Sequence, residues 1–371
     1  MAQEENLQPN GPPTSLVYGD LVRGTYHVEG HLGSGAFGDV YLVRHRYMGM
    51  QALKVLGRSA SEEDLQTGLN EAFLLSRLSH PNIVRVFEAN HIDDDPDSPL
   101  YVTMEYVDGE TVRELIDECG GEIEISLALE LLCQAASGLA HAHACEPRVI
   151  HRDIRPENLL LKNEADGLVL QIGDFGMAGP VNKSFGFLER AGAVVYESPE
   201  GLDGYEGPRS DIFSLGLVFY ELLTGVFPYP RSSIFDSSTA DTLVSKLKNA
   251  QQQGIRTSTY YRSAIPVELA ALIEVMLSLE LQQRFTSGIE LQHALQLVVD
   301  CNKIGVWAHD TLETASRSRA HELIVEGLRS CFTADASGTT ACPFRNAASL
   351  HPVLEERLRP LVRHEQQEMK S

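Results

Sequence analysis

The chain has 371 residues, 43% hydrophobic and 22% charged, the proportions of an ordinary folded protein. Its 52 acidic and 30 basic side chains leave a net charge of −22, which repels nucleic-acid phosphates and anionic lipid heads and argues against both as partners. No apolar run reads as the roughly 18 residues of a membrane span, Ile212 to Leu223 coming closest, and the start has acids and prolines where a signal peptide has an apolar core.

In chain order, residues 1–17 are polar and proline-bearing and are expected to be a disordered leader. Tyr26 to Leu32, Val40 to His45 and Gln51 to Leu56 are short runs rich in β-branched and aromatic residues, hence strands. Glu63 to Leu78 carries Leu74, Leu75 and Leu78 at helical spacing. His91 to Pro99 is an acidic turn, read as a solvated hairpin loop, and Leu100 to Met104 resumes a buried strand. After Gly109 the pattern is helical. Ser126 to His143, Ile212 to Leu223, Val267 to Leu279 and Ser287 to Val299 are the candidate helices. Beyond about Asp300 the pattern changes, and residues 301–371 read as a partly helical extension whose role the sequence does not reveal.

Six cysteines (Cys119, Cys133, Cys145, Cys301, Cys331, Cys342) show no C-x-x-C spacing, so free thiols in a reducing, cytoplasmic setting are expected. Cys331 and Cys342 with His351 match no standard zinc spacing.

Several motifs carry chemistry. G-S-G-A-F-G-D-V, Gly33 to Val40, places glycines at 33, 35 and 38 between two predicted strands, where the backbone can fold closely over phosphates. A dinucleotide-binding turn shares this spacing but opens a helix, whereas Val40, Tyr41 and Val43 continue a strand. Lys54, in A-L-K, lies inside an apolar strand and needs an anion to offset its desolvation. Glu71, on the helix that follows, can supply the counter-ion. Then comes H-R-D-I-R-P-E-N, His151 to Asn158, with D-F-G at Asp174 sixteen residues after Asn158. Asp153 reads as a carboxylate that accepts or orients a hydroxyl proton. Asn158 and Asp174 are hard oxygen ligands suited to Mg²⁺. His151 and His143 read as buried, hydrogen-bonded histidines rather than bases.

Together these motifs resemble the eukaryotic-type Ser/Thr protein kinases, bacterial ones in particular, over roughly Tyr26 to Val299. The resemblance implies an α+β, two-lobed kinase fold: a kinase domain over 18–300, with a β-rich lobe to about 107 and a helical lobe from about 108. It implies ATP and Mg²⁺ as cofactors and phosphoryl transfer to Ser or Thr hydroxyls of protein substrates, basic ones being favoured by the charge. Gly33, Gly35, Gly38, Val40, Ala52, Lys54, Glu71, Glu105, Val107 and Leu160 then line the nucleotide site. Glu105-Tyr106-Val107 would be the adenine hinge behind Met104. Asp153, Lys54, Asn158 and Arg155 are the implied catalytic set, with Asn158 and Asp174 on the metal. Glu200 of S-P-E would pair with Arg284, and Asp211, Ser214 and Gly216 would lie on the helix that anchors the catalytic loop.

Two positions depart from the family pattern: Arg155 stands where a lysine is usual, and Ala193 where a threonine is. They leave a scaffold without catalysis as the alternative reading, although such a protein would be expected to have lost Lys54, Asp153 or Asp174. Arg152 implies an anionic partner on the segment 174–200, either a phosphate on Ser184 or the carboxylate of Glu189. Glu157 and Glu110 are candidates to face a basic substrate side chain.

Overall fold

The computed structural model describes residues 16–35, 38–56, 78–93, 98–165, 167–175, 194–230, 240–304 and 324–325. The chain divides into two compact units: Met1–Leu78 with Arg85–Tyr106 and Gly179–Lys183, and Ser79–Val84 with Val107–Ala178 and Ser184–Ser371.

The first unit is a six-stranded antiparallel sheet. Its strands are β1 (Leu21–Val22), β2 (Tyr26–Gly35), β3 (Gly38–His45), β4 (Gly49–Leu56), β5 (Val86–His91) and β6 (Leu100–Glu105), in the order β1-β2-β3-β4-β6-β5. The three strands first read from sequence are β2, β3 and β4, and β5 pairs antiparallel with β6, His91 opposite Leu100; residues 94–97 of the predicted acidic turn lie outside the described residues. A core of Val22, Tyr26, Val28, Tyr41, Val43, Leu53, Val55, Ile92 and Tyr101 holds the sheet together. Glu88, half-buried at the edge of this core, is satisfied by two hydroxyls, Tyr26 Oη donating at 2.8 Å and Tyr101 Oη at 2.6 Å. The predicted helix at 63–78, and Glu71 with it, lies outside the described residues apart from Leu78.

The second unit is mainly helical: α1 (Val112–Cys119), α2 (Ile125–Ala144), α3 (Pro208–Thr224), α4 (Ala240–Gln252), α5 (Ser258–Tyr261), α6 (Val267–Met276) and α7 (Gly288–Ile304). α1 starts at a capping box, with Thr111 accepting from Glu114 N and Glu114 accepting from Thr111 N, and stops at Gly120 in the left-handed region. α3 has Pro208 at its first position and is buried on every side from Ser210 to Leu223. That burial explains why most of its residues are apolar. The nearest approach to a membrane span is corrected, however: α2, not Ile212 to Leu223, is the described helix long and apolar enough to cross a membrane. More than half of that apolar stretch is buried inside this fold, α2 packing on α7 and on a strand described next.

A three-stranded sheet, β7 (Gly109–Thr111), β8 (Leu159–Glu164) and β9 (Gly167–Ile172), interrupts the helices, where the sequence suggested helical character throughout. β8 and β9 pair antiparallel with Leu159 opposite Ile172. This register sets the geometry of the site.

Candidate active site

In the first unit the glycine-rich motif forms the β2–β3 hairpin, closed by the Gly35–Gly38 pair. Gly38 has φ +136°, and a Cβ there would lie 1.8 Å from the Val55 carbonyl oxygen, so only glycine fits. At Gly33 a Cβ would meet nothing within 4 Å, leaving open space above the strand. Lys54 sits mid-sheet, opposite Val40 on β3 and Val102 on β6, and is 3% exposed. Ala52 is buried two residues away, Met104 is buried on β6, and Glu105 N donates to Arg85 O at 2.8 Å.

In the second unit, the residues from His151 to Asn158 join α2 to β8, and Asp174 follows β9. Because Leu159 pairs with Ile172, Asn158 and the 173–174 segment are cross-strand neighbours, and Gly173 N donates to Asn158 O at 2.8 Å. The ladder thus brings together an amide and a carboxylate that are sixteen residues apart. Asn158 Nδ2 donates to the Asp153 carbonyl at 2.8 Å and to Asp153 Oδ2 at 2.9 Å. Asn158 therefore directs its NH₂ toward Asp153. Burial pushes the Asp153 carboxyl above its ordinary range, with Arg155, His151 and Asn158 pulling it back and Asp174 adding to the rise.

His151 is fully buried, as its sequence context suggested. Its Nε2 lies 2.7 Å from Gly173 O and must carry the proton, while its Nδ1 accepts from Asp153 N at 3.2 Å. The ring so ties the catalytic loop to the residue before Asp174, and the Phe175 ring packs on it edge-on at 4.5 Å. Asp211, at the start of α3, anchors the same loop. Its Oδ2 accepts from His151 N at 2.8 Å and His143 Nε2 at 2.9 Å, and its Oδ1 from Arg152 N at 2.9 Å. His143 Nδ1 in turn accepts from Gly288 N at 3.1 Å, which fixes the proton on Nε2. Burial pushes the Asp211 carboxyl up, but His143, His151 and the backbone donors outweigh it and hold it below the ordinary carboxylate range.

Arg152 adopts φ +70° and Asp174 φ +53°, left-handed conformations that cost a non-glycine residue about 1–2 kcal/mol each. Arg155, the departure from lysine, donates through Nε to Glu157 Oε2 at 2.7 Å. Its charge acts on Asp153, but Glu157 is committed to it rather than to a substrate.

Glu200 and Arg284 form the expected buried pair, two-pronged at 2.7 Å on each side. Arg284 is 0% exposed and also donates to Ser278 O at 2.6 Å and Arg209 O at 3.0 Å. Ala193, Ser184 and Glu189 lie outside the described residues. Three side chains escaped sequence reasoning. Arg113 on α1 meets Glu221 on α3 at 3.1 Å, with Tyr196 Oη donating to the same carboxylate at 2.6 Å. Glu197, next to Tyr196, is pushed up to about 8 by burial and by the neighbouring Glu206. Glu206 pairs with Arg152 Nε at 3.1 Å.

Residues 26–297 match the protein kinase domain family. The chain belongs to that family. Among similar curated proteins are the serine/threonine-protein kinase PrkC of Bacillus subtilis, 27% identical over 295 residues, and the probable serine/threonine-protein kinase nek2 of Dictyostelium discoideum, 32% identical over 230. These alignments take in 78% and 60% of this chain but only 43% and 52% of the two relatives. Among solved structures, the Mycobacterium tuberculosis PknI kinase domain matches 76% of this chain and 99% of that one, with a TM-score of 0.57 and 26% identity. The kinase fold expected from the motifs is thereby shown, with its β-sheet unit and its helical unit.

Proposed function

We propose that the protein transfers the γ-phosphoryl group of ATP, with Mg²⁺, to Ser or Thr hydroxyls of protein substrates. One observation carries this reading: the β8–β9 register brings Asn158 beside the Asp174 segment, while Asn158 grips Asp153. Two hard oxygen donors next to a half-buried carboxylate suit a small divalent cation and an incoming alcohol. Asn158 through its Oδ1 and Asp174 through its carboxylate would hold Mg²⁺, which neutralises charge on the phosphate oxygens when bound. Among the described residues no cluster of three or more His, Cys, Asp and Glu side chains offers a competing metal site.

Asp153 orients the hydroxyl and accepts its proton, and its burial-raised proton affinity favours that transfer. In the β-sheet unit Lys54 would draw the nucleotide phosphates, with Gly33, Gly35, Gly38, Val40, Ala52 and Glu105 as further nucleotide contacts and Glu71 as counter-ion; Val107 and Leu160 are the contacts proposed in the helical unit. Arg155 supplies the positive charge near Asp153 that a lysine supplies elsewhere in the family. A preference for basic substrates rests on the net charge and on Glu110, since Glu157 is already paired. The free thiols at Cys119, Cys133 and Cys145 support a cytoplasmic location.

The test is transfer from γ-labelled ATP to a generic basic protein in Mg²⁺, with phosphoamino-acid analysis. Label should appear on Ser or Thr, and Asp153→Asn or Lys54→Met should reduce it by roughly three orders of magnitude without unfolding the chain. Wild-type turnover in either variant would overturn the role given to that residue. No transfer by the wild-type chain would favour the scaffold reading.

A further inference from the structure

We propose that Glu157 is a positioning residue for the phosphoryl transfer: it holds the Arg155 guanidinium by Nε, so that the two terminal NH₂ groups are left for the oxygens of the transferred group. The inference rests on the kinase reading above. The loop places these side chains by alternation. Ile154 and Pro156 are buried, whereas Asp153, Arg155 and Glu157 are half-buried. Arg155 is extended at φ −153° and ψ 161°, and the 3₁₀ turn Pro156–Asn158 then brings Glu157 back alongside it. The stretch is pinned at its far end, Asn158 N donating to Arg155 O at 3.0 Å and Asn158 Nδ2 to Asp153 O at 2.8 Å.

Within this closed loop Arg155 Nε donates to Glu157 Oε2 at 2.7 Å. A guanidinium is planar, so a bond at Nε fixes its plane and leaves four N–H groups at its far end. A lysine ammonium, a single point on a flexible stem, lacks that separation between the end that is held and the end that is presented. Burial raises the Glu157 carboxyl, but the Arg155 guanidinium outweighs it and holds it below the usual carboxylate range, so the pair stays charged at neutral pH. Another cation that acts on Glu157, Arg113, is bonded to Asp117 and Glu221 instead. The two side chains of the Arg155–Glu157 pair are 21% and 39% exposed, so its loss costs little stability and its worth lies in orientation.

A carboxylate that positions Arg155 and one that reads a basic substrate residue are separated by a double-mutant cycle on the full chain, with Mg²⁺-ATP and the same generic basic protein. Glu157→Ala should lower kcat about tenfold with the KM for the protein within about twofold, and Glu157→Gln should show the same pattern at smaller amplitude. Arg155→Met should lower kcat about a hundredfold, and adding Glu157→Ala to it should change neither constant by more than about twofold, because the carboxylate then has nothing to hold. A second readout needs no turnover and no nucleotide. In chain labelled with ¹⁵N-arginine, the Arg155 Nε–H signal, assigned by its loss in Arg155→Lys, should exchange with water about tenfold faster in Glu157→Ala at an unchanged circular dichroism spectrum.

Multiplying losses of kcat in the double variant would overturn the proposal, as would a rise in KM for the protein that persists without Arg155. So would wild-type exchange of the Arg155 Nε–H in Glu157→Ala. If the wild-type chain transfers no phosphate, the kinase reading fails, and the exchange measurement still decides whether Glu157 holds Arg155.

Discussion

Asp211→Asn is the sharpest probe of how the fold holds the catalytic loop. The carboxylate is 1% exposed and receives three N–H donors, from His151 N and His143 Nε2 on Oδ2 and from Arg152 N on Oδ1. An asparagine keeps one acceptor oxygen and replaces the other with a donor. If the NH₂ takes the Oδ1 position it faces the Arg152 N–H at 2.9 Å. If it takes the Oδ2 position it faces two N–H donors, because His143 Nδ1 accepts from Gly288 and the proton must lie on Nε2. Either way at least one buried donor is left unpaired, which costs about 1–3 kcal/mol, and the remaining bonds lose their charge assistance. A total of about 2–4 kcal/mol follows, a large part of the roughly 5–15 kcal/mol that stabilises a domain. Turnover should fall further than stability suggests, since a displacement of about 1 Å at Asp153 costs on the order of a hundredfold. Urea denaturation followed by circular dichroism gives the first number and initial rates on the folded variant give the second. A midpoint unchanged at equal m-value, with kcat within about twofold of wild type, would refute the anchoring argument.

Arg284→Lys cannot reproduce the two-pronged contact with Glu200 or reach both Ser278 O and Arg209 O, and should destabilise by about 2–4 kcal/mol in thermal or urea denaturation. Gly288→Ala places a Cβ 2.4 Å from Ala140 N, where α7 crosses α2 backbone to backbone; a loss of about 1–3 kcal/mol is expected, and wild-type stability would mean that the crossing is looser than described. Glu268 is buried and its carboxyl is pushed up to about 8, so the folded chain binds a proton that the unfolded chain releases near 4.5. That contribution is complete below about pH 4.5 and is lost as pH rises through about 8, a swing of about 3–5 kcal/mol. Glu268→Gln should therefore flatten the melting temperature between pH 5 and pH 9, and parallel curves for variant and wild type would contradict the burial argument.

Much of this was legible in the sequence because it is local. β2, β3 and β4 announce themselves through β-branched and aromatic runs, and α3 through a largely apolar stretch that only Ser214, Tyr220 and Glu221 interrupt. The buried pairing of Glu200 with Arg284 was also expected, but only through the family resemblance, since nothing in the spacing of residues 84 positions apart specifies it. What stayed hidden depends on distant partners or on short elements. β7 has three residues, too few for any periodicity, and β5 reads V-F-E-A-N-H, whose half-buried acid makes sense only once Tyr26 and Tyr101 are seen to donate to it. α2 was read as a core helix yet not as an apolar span, because its alanines and histidines dilute the signal that leucines give α3. The Arg152–Glu206 pair joins residues 54 apart and carries no motif of its own.

The local charge order also limits what the net charge of −22 can do. Around the catalytic loop the acids carry partners of their own: Asp211 has His143 and two backbone N–H groups, Glu206 has Arg152, Glu157 has Arg155, and Glu221 has Arg113. Asp153 differs, for its side chain accepts from the Asn158 amide and not from a paired cation. A basic substrate residue approaching Glu157 or Glu221 would have to displace an arginine already within 3.1 Å, and so would gain little from contact. Any preference for basic substrates must then act through Glu110 and the long-range field of the surface, which salt at physiological strength screens beyond about 8 Å. The rate of transfer to a basic protein should accordingly fall with added salt through KM, while kcat, set by the neutralised loop and Asp153, stays level.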